Sequence, residues 1–260
     1  RWVLDNFARD PYARNAMIDT AENVVARFGV STAEQNEVAL SRYVQYQDAL
    51  AGERAFQRRY MVDVPITDAG FRKQTGLLSA DEGIFATTAE GLAKLKPVKP
   101  DGTVTFGSQT HPADGNAGIV VATPERAAEL ASRPEIAVRL LGFGQARVPL
   151  ARMPEATIPA ARRALERAGL AVRDVDAFKT HNPFALNDLV FSREMGVDLA
   201  RMNNYGSSLV WGHPQAPMGT RSVIELIEEL ALRGGGRGLF AGCAAGDSAM
   251  ALVLEVGDRH

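Results

Sequence analysis

The sequence predicts an α/β fold in which a mixed β-sheet is covered by helices, and three observations carry that prediction. Amphipathic stretches of helical period, such as TIPAARRALERAGL (residues 157–170), alternate with short, continuously apolar runs such as SAMALVLEV (248–256). Gly or Pro punctuates the junctions between them. The composition, 46% hydrophobic and 23% charged over 260 residues, is that of a globular chain long enough for one large or two medium domains.

Taken in order, Ser31 and Glu34 form a capping box at the head of STAEQNEVALSRYVQYQDALAG, and Gly52 supplies a stop, so a helix is predicted over 31–52. In YMVDVPI, Tyr60, Val62, Val64 and Ile66 alternate with Met61, Asp63 and Pro65, the pattern of a strand near a sheet edge. Mixed signals from Thr67 to Pro100 predict a loop-rich excursion with short helices. The Asp101-Gly102 turn leads into TVTFG. Beyond the polar SQTHPADGNAG, the run GIVVAT (118–123) predicts a strand buried on both faces.

The second half is more regular. IAVRLLGFGQARV (136–148) reads as a strand. The helix over 157–170 has Pro159 in its first turn, Ile158, Ala161, Leu165 and Ala168 on one face, and Gly169 at its end. DAFKTHNPFALNDLVFSREMG (176–196) runs from strand into helix, and GTRSVIELIEELALRGG (219–235) is a second amphipathic helix stopped by Gly234. GRGLFAG and SAMALVLEV then close as a hairpin. These segments divide the chain into a loop-rich α/β subdomain at the N-terminal side, residues 1–122, and a second domain, residues 123–260.

A net charge of −2 without a sustained Lys/Arg block gives no electrostatic footprint for nucleic acid or an anionic membrane surface. No apolar run approaches the roughly 20 residues of a membrane-spanning helix. A single cysteine forms no intrachain disulfide and suits a reducing, cytoplasmic setting. Zinc-ligand spacing of Cys and His is absent, so no metal is expected. The chain opens RWVLDNFARDPYARNAM, with Arg1 in place of a Met and no leader pattern, as expected of a chain that begins mid-protein or of a processed subunit.

Three polar spots fall at strand-to-helix or strand-to-strand turns, where active sites of α/β folds gather: Thr180-His181-Asn182-Pro183-Phe184, Trp211-Gly212-His213-Pro214 and Gly242-Cys243-Ala244-Ala245-Gly246. Singly, each has a bland reading. A His before Pro is often a hydrogen-bonded structural residue, and a lone Cys often a small buried hydrophobe. Together, two imidazoles and a thiol on three loops of one domain are a set that acid/base chemistry would use.

The order of these blocks resembles the C-terminal domain of the thiolase family, which shows Asn-Glu-Ala-Phe or His-Asp-Cys-Phe, then Gly-His-Pro, then Cys-x-Gly. Here they read His181-Asn182-Pro183-Phe184, Gly212-His213-Pro214 and Cys243-Ala244-Ala245. Upstream, TAENVVARFGVSTAEQNEVAL and GTVTFGSQTHPADGNAGIVV resemble the family's loop-domain opening and its Gly-Thr-Val-Thr-Ala-Gly-Asn-Ala-Ser-Gly segment, so the likeness spans essentially the whole chain.

The resemblance implies a thiolase-like fold and an acyl-CoA C-acyltransferase that uses coenzyme A and acyl-CoA as substrates with no bound cofactor. It implies a homodimer or tetramer and leaves open an accessory zinc-ribbon subunit. His213 would activate the nucleophile and stabilise the thioester oxyanion, and Cys243 would move the α-proton if its surroundings lower its pKa. His181 would donate an imidazole N–H directly to the enolate oxygen. Thr110 falls where the family has a Ser near the pantetheine arm of CoA, with a loop Thr bonding its own backbone as the alternative. With Cys243 in the α-proton role, the N-terminal segment bearing the nucleophilic Cys is expected to be lacking, and the chain alone to form no acyl-enzyme.

Departures are Ala245 for an oxyanion-hole Gly, Ser207 and Ser208 for small residues, and Trp211, which either reshapes the acyl pocket with Met218 or fills core. A competing reading is a non-catalytic CoA-binding or scaffold subunit. Another is a carrier-protein-dependent condensing enzyme, against which the terminal Cys243 block counts.

Overall fold

Helix α1 (Met17–Phe28) forms where Met17, Ala21, Val24, Val25 and Phe28 recur on one face, and Gly29 ends it at φ 62°. The computed structural model describes residues 5 and 7–259, so the reading of the opening at Arg1 lies outside the described residues. Helix α2 (Thr32–Arg54) starts as the sequence predicts. The Ser31 hydroxyl accepts from Glu34 N (3.2 Å), and the Glu34 carboxylate accepts from Ser31 N (2.8 Å). Its helical geometry breaks over Ala51–Glu53, with Gly52 at φ 58°.

The strand expected over 60–66 is shorter. Tyr60 leaves it to donate its hydroxyl to Glu225 Oε1 (2.7 Å). Val64–Thr67 (β1) pairs antiparallel with Gln74–Leu78 (β2) as an exposed two-stranded ribbon. Short helices α3 (Ala89–Ala93) and α4 (Pro124–Leu130) flank the loop region.

The expected strand at 118–123 is not formed. Ile119, Val120 and Val121 are 42%, 78% and 87% exposed and belong to no strand among the described residues. An apolar run records a need for burial, whereas a strand also needs a neighbour to take its backbone hydrogen bonds.

The second half holds a four-stranded mixed sheet of β3 (Ile136–Arg147), β4 (Ala177–Thr180), β5 (Gly236–Ala244) and β6 (Ser248–Asp258) in the order β3-β6-β5-β4. The β5–β6 hairpin and the β3–β6 pair are antiparallel, and β4–β5 is parallel. Around it lie α5 (Thr157–Ala168), α6 (Ala185–Met195), α7 (Ser208–Trp211) and α8 (Pro217–Leu232). The parallel pairing sets Thr180 beside Ala241, so the ends of β4 and β5 emerge side by side.

Helix α5 lies on β3 at backbone contact, which small residues permit. A Cβ on Gly142 would stand 2.6 Å from Ala164 O, and one on Gly144 2.2 Å from Ala160 O. Gly144→Ala should therefore destabilise the fold by about 3 kcal/mol, the upper end of the overpacking range, read as a lower urea midpoint. Gly257→Ala, whose Cβ meets nothing within 4 Å, should stay within about 0.5 kcal/mol of the parent. Equal midpoints for the two variants would show that the α5–β3 contact is not close-packed.

Candidate active site

His181 follows β4 and extends its ladder by one bond, its amide donating to Ala241 O at 2.9 Å. Its ring then meets the end of β5: Nδ1 lies 3.1 Å from the Cys243 carbonyl oxygen and 3.8 Å from Cys243 Sγ. A carbonyl only accepts, so the proton is on Nδ1 and the neutral ring carries a lone pair at Nε2. That Nε2 is buried and has no protein partner. Asn187, in the first turn of α6, donates its side-chain amide to Cys243 Sγ at 3.5 Å.

His213 follows α7 across Gly212, which sits at φ 90°, and its amide donates to His111 O at 2.8 Å. Its Nδ1 accepts from Gln215 N at 3.2 Å, which puts the neutral ring's proton on Nε2. The His181 and His213 rings meet edge to face with centroids 4.5 Å apart. The structure thus brings His181, His213 and Cys243 together in one place.

Beneath them lies a buried polar network that the sequence reading did not single out. Asp188, fully buried, accepts from Arg42 Nε (2.8 Å), Thr180 Oγ1 (2.5 Å), Asn182 Nδ2 (2.8 Å) and Asn203 Nδ2 (3.1 Å). Asn182 also donates to Ser207 Oγ (2.9 Å) and accepts from Ser208 Oγ (3.0 Å) and Leu209 N (3.2 Å). Ser207 and Ser208 are therefore the hydrogen-bond partners of Asn182. The available signal was Asn187-Asp188, a polar pair inside the apolar run ALNDLVF.

Thr110 bonds the segments that follow His181 and precede His213. Its hydroxyl donates to Ser208 O (2.6 Å) and its amide to Pro183 O (2.7 Å). Trp211 and Met218 are core residues in one apolar cluster, with the Arg221 guanidinium 4.1 Å from the Trp211 ring, so the core reading of Trp211 is the one the structure bears out. Ala245 is exposed at the β5–β6 turn. Among the described residues, no group of three or more His, Cys, Asp and Glu could hold a metal ion, and no helix is long and apolar enough to cross a membrane.

Burial sets the charge state. It drives the His181 imidazole down to about 3, reinforced by the neighbouring His213 and opposed by the bond to the Cys243 carbonyl. It takes His213 down to about 4. The Cys243 thiol is pushed up to about 12 by burial, against the pull of its main-chain hydrogen bond and of Asn187. The condition set for Cys243 in the sequence, a lowered thiol pKa, is not met in the resting site: at neutral pH the thiol is protonated and both rings are neutral.

Direct donation from His181 to an enolate oxygen meets the same obstacle. Its Nδ1 proton is committed to the Cys243 carbonyl, and protonating Nε2 as well would charge a ring that burial keeps neutral.

The thiolase C-terminal domain model matches residues 134–256, and the thiolase N-terminal domain model matches residues 4–125. The chain is 35% identical over 250 residues to beta-ketoadipyl-CoA thiolase of Pseudomonas knackmussii, covering 94% of this chain and 60% of that protein. It is 37% identical over 233 residues to the peroxisomal 3-ketoacyl-CoA thiolase B of Rattus norvegicus, covering 85% of this chain and 53% of that protein. It superposes on the crystal structure of Bacillus anthracis acetyl-CoA acetyltransferase with a TM-score of 0.89 at 32% identity, covering 98% of this chain and 63% of that one. On human mitochondrial 3-ketoacyl-CoA thiolase in complex with CoA the TM-score is 0.84 at 27% identity, covering 93% of this chain and 59% of that one. The chain spans about three fifths of the length of these bacterial relatives. The expectation of a lacking N-terminal segment is not borne out, because the N-terminal domain model covers residues 4–125.

The depressed imidazoles make stability depend on pH. Between about 4 and 6.5 the unfolded chain binds a proton on His213 that the folded chain excludes, so this contribution is complete above 6.5 and is lost as pH falls towards 4. The urea midpoint of the wild-type chain should fall more steeply over that window than that of His213→Gln. Parallel profiles would refute the buried neutral imidazole.

Proposed function

Because the chain belongs to the thiolase family, we propose that it performs the α-carbon chemistry of a thiolase-type acyl-CoA C-acyltransferase. The reaction is thiolytic cleavage of a 3-oxoacyl-CoA or the reverse Claisen condensation. The observation that carries this reading is the convergence of His181, His213 and Cys243, with the rings 4.5 Å apart and the His181 Nδ1 to Sγ distance 3.8 Å.

In the cleavage direction, the thiolate of CoA adds to the 3-oxo carbon, and as the carbon–carbon bond breaks that acyl half stays on the CoA sulfur while the other half departs as the enolate of an acyl thioester. His213 Nε2–H donates to its developing oxyanion, an interaction worth most in a water-poor site. The Cys243 S–H, held protonated by burial, delivers its proton to the α-carbon. The thiolate left behind regains a proton from the thiol of incoming CoA, which balances the step. Condensation runs the same proton in reverse.

His181 works through Nδ1–H, which fixes the Cys243 carbonyl and with it the end of β5. Thr110, whose hydroxyl proton is already given to Ser208 O, serves CoA as an acceptor, towards an amide N–H of the pantetheine arm. Cys243 carries no acyl group in this scheme, since a buried, protonated thiol is a poor nucleophile. A cytoplasmic setting and a homodimeric or tetrameric assembly belong to the same proposal and rest on family membership and the single cysteine.

Cys243→Ser should abolish deuterium wash-in at the α-carbon of an acyl-CoA, followed by NMR, because a hydroxyl there ionises far less readily. His213→Ala should slow it by about 10²–10³, as removal of an oxyanion donor does. Unchanged exchange in Cys243→Ser would sink the proposal. After incubation with a 3-oxoacyl-CoA, mass spectrometry of the chain should find Cys243 unacylated, and an acyl group on that sulfur would reverse its assignment.

A further inference from the structure

We infer that Asn187 is the positioning residue of the Cys243 sulfur, an amide that favours the thiolate and holds Sγ beside His181. The inference rests on the α-proton role proposed for Cys243. Asn187 is 2% exposed and lies among Ala185, Leu186, Leu189, Val190 and Phe191, all buried. An amide in such surroundings is costly unless its hydrogen bonds are made. Its neighbour Asp188 has donors from four residues. Asn187 instead spends its N–H on sulfur at 3.5 Å, and its Oδ1 has no partner.

A neutral thiol is a weak acceptor, so in the resting state this bond returns little of the amide's burial cost. Once the sulfur gives up its proton, the same N–H faces an anion, and the bond becomes charge-assisted and roughly twice as strong. The contact therefore discriminates between the two states of the sulfur, as a group serving a proton transfer must. His181 supplies this bond only weakly, because its one Nδ1 proton lies nearer the Cys243 carbonyl (3.1 Å) than Sγ (3.8 Å). Placement on the first turn of α6 gives the amide a rigid base, and Asp188, the next residue, ties that turn to Thr180 and Asn182 at the end of β4.

Because Cys243 is the only cysteine, alkylation of the intact chain by iodoacetamide reports this sulfur alone. Below the thiol pKa the rate follows the thiolate fraction and rises about tenfold per pH unit. Asn187→Leu, similar in volume and without the donor, should lower the rate at every pH by about tenfold, equivalent to one pKa unit. Asn187→Ser keeps an O–H donor and should recover part of that loss, whereas Asn187→Asp, which sets a carboxylate beside the sulfur, should be slower still.

Thermal transitions identify the folded variants, and the Ser and Asp arms carry the comparison if Leu does not fold. A Leu variant as fast as wild type, or Ser no faster than Leu or Asp, would overturn the inference. The deuterium wash-in of the Cys243→Ser chain separates this inference from the reading beneath it. Unchanged wash-in with a tenfold alkylation effect removes the catalytic role and leaves Asn187 as the partner of the sulfur. Lost wash-in with no alkylation effect does the opposite.

Discussion

The buried carboxylate of Asp188 is the constraint on which the site depends. It is completely enclosed, and the cation beside it, Arg42, is enclosed as well. Two charges taken out of water are tolerable only when their remaining donors and acceptors are occupied. The fold meets this condition for the carboxylate by bringing four segments to one point, while on the Arg42 side Nε and Nη1 are paired and Nη2 is left without a partner among the described residues. Arg42 comes from α2, Thr180 from the end of β4, Asn182 from the turn after it and Asn203 from the loop before α7. Arg42 spends its Nη1 on Leu199 O, Met202 O and Gln45 Oε1, which fixes the same loop from the other side. None of these segments can shift without depriving the buried carboxylate of a hydrogen bond or of its cation. That rigidity reaches the imidazoles through Asn182, which sits next to His181 and grips Ser208 and Leu209 at the start of the helix leading to His213.

A second buried cluster, internally paired, leaves the imidazoles to the effect of burial. Lys179 is enclosed next to Thr180 and lies in the strand that leads to His181. Its ammonium pairs with Glu225 Oε2 at 3.0 Å and donates to the Gly206 carbonyl at 3.0 Å. Arg221 bridges Glu225 and Asp81, and the Tyr60 and Tyr46 hydroxyls complete those carboxylates. Each positive group there has a negative one at contact distance, so the cluster imposes little net field on its neighbours. Burial then remains the first cause of the depressed values at His181 and His213, which is how both rings hold the tautomers their hydrogen bonds require.

How much of this was legible in the sequence follows from the range of each interaction. The capping box at Ser31, the Gly169 stop and the alternation of apolar strands with amphipathic helices are local, and the elements they predict formed. The three polar blocks were also legible, because strand ends of an α/β sheet converge. The run 118–123 was misread, since its apolar character says nothing about which strand would pair with it. Helix α1 went unread although Ala21, Val24 and Val25 lie on its buried face. The raised Cys243 value, the proton on His181 Nδ1 and the work of Ser207 and Ser208 were beyond sequence reasoning. Each depends on a partner 25 or more residues away.

Those long-range contacts also decide which chemistry the site favours. At rest it presents one N–H at His213 Nε2, one lone pair at His181 Nε2 and one S–H at Cys243, with no net charge on any of them. A sulfur awaiting an α-proton as base would need its charge in place before substrate arrived, at the cost of desolvating an anion. An acid awaiting a carbanion equivalent needs only its proton and a donor for the neighbouring oxygen. The resting state is the second arrangement. Under the proposed function, burial therefore holds Cys243 in the acid form that carbon–carbon bond cleavage consumes. In the condensation direction the ionised sulfur would be reached only with substrate bound and with the N–H of Asn187 facing it.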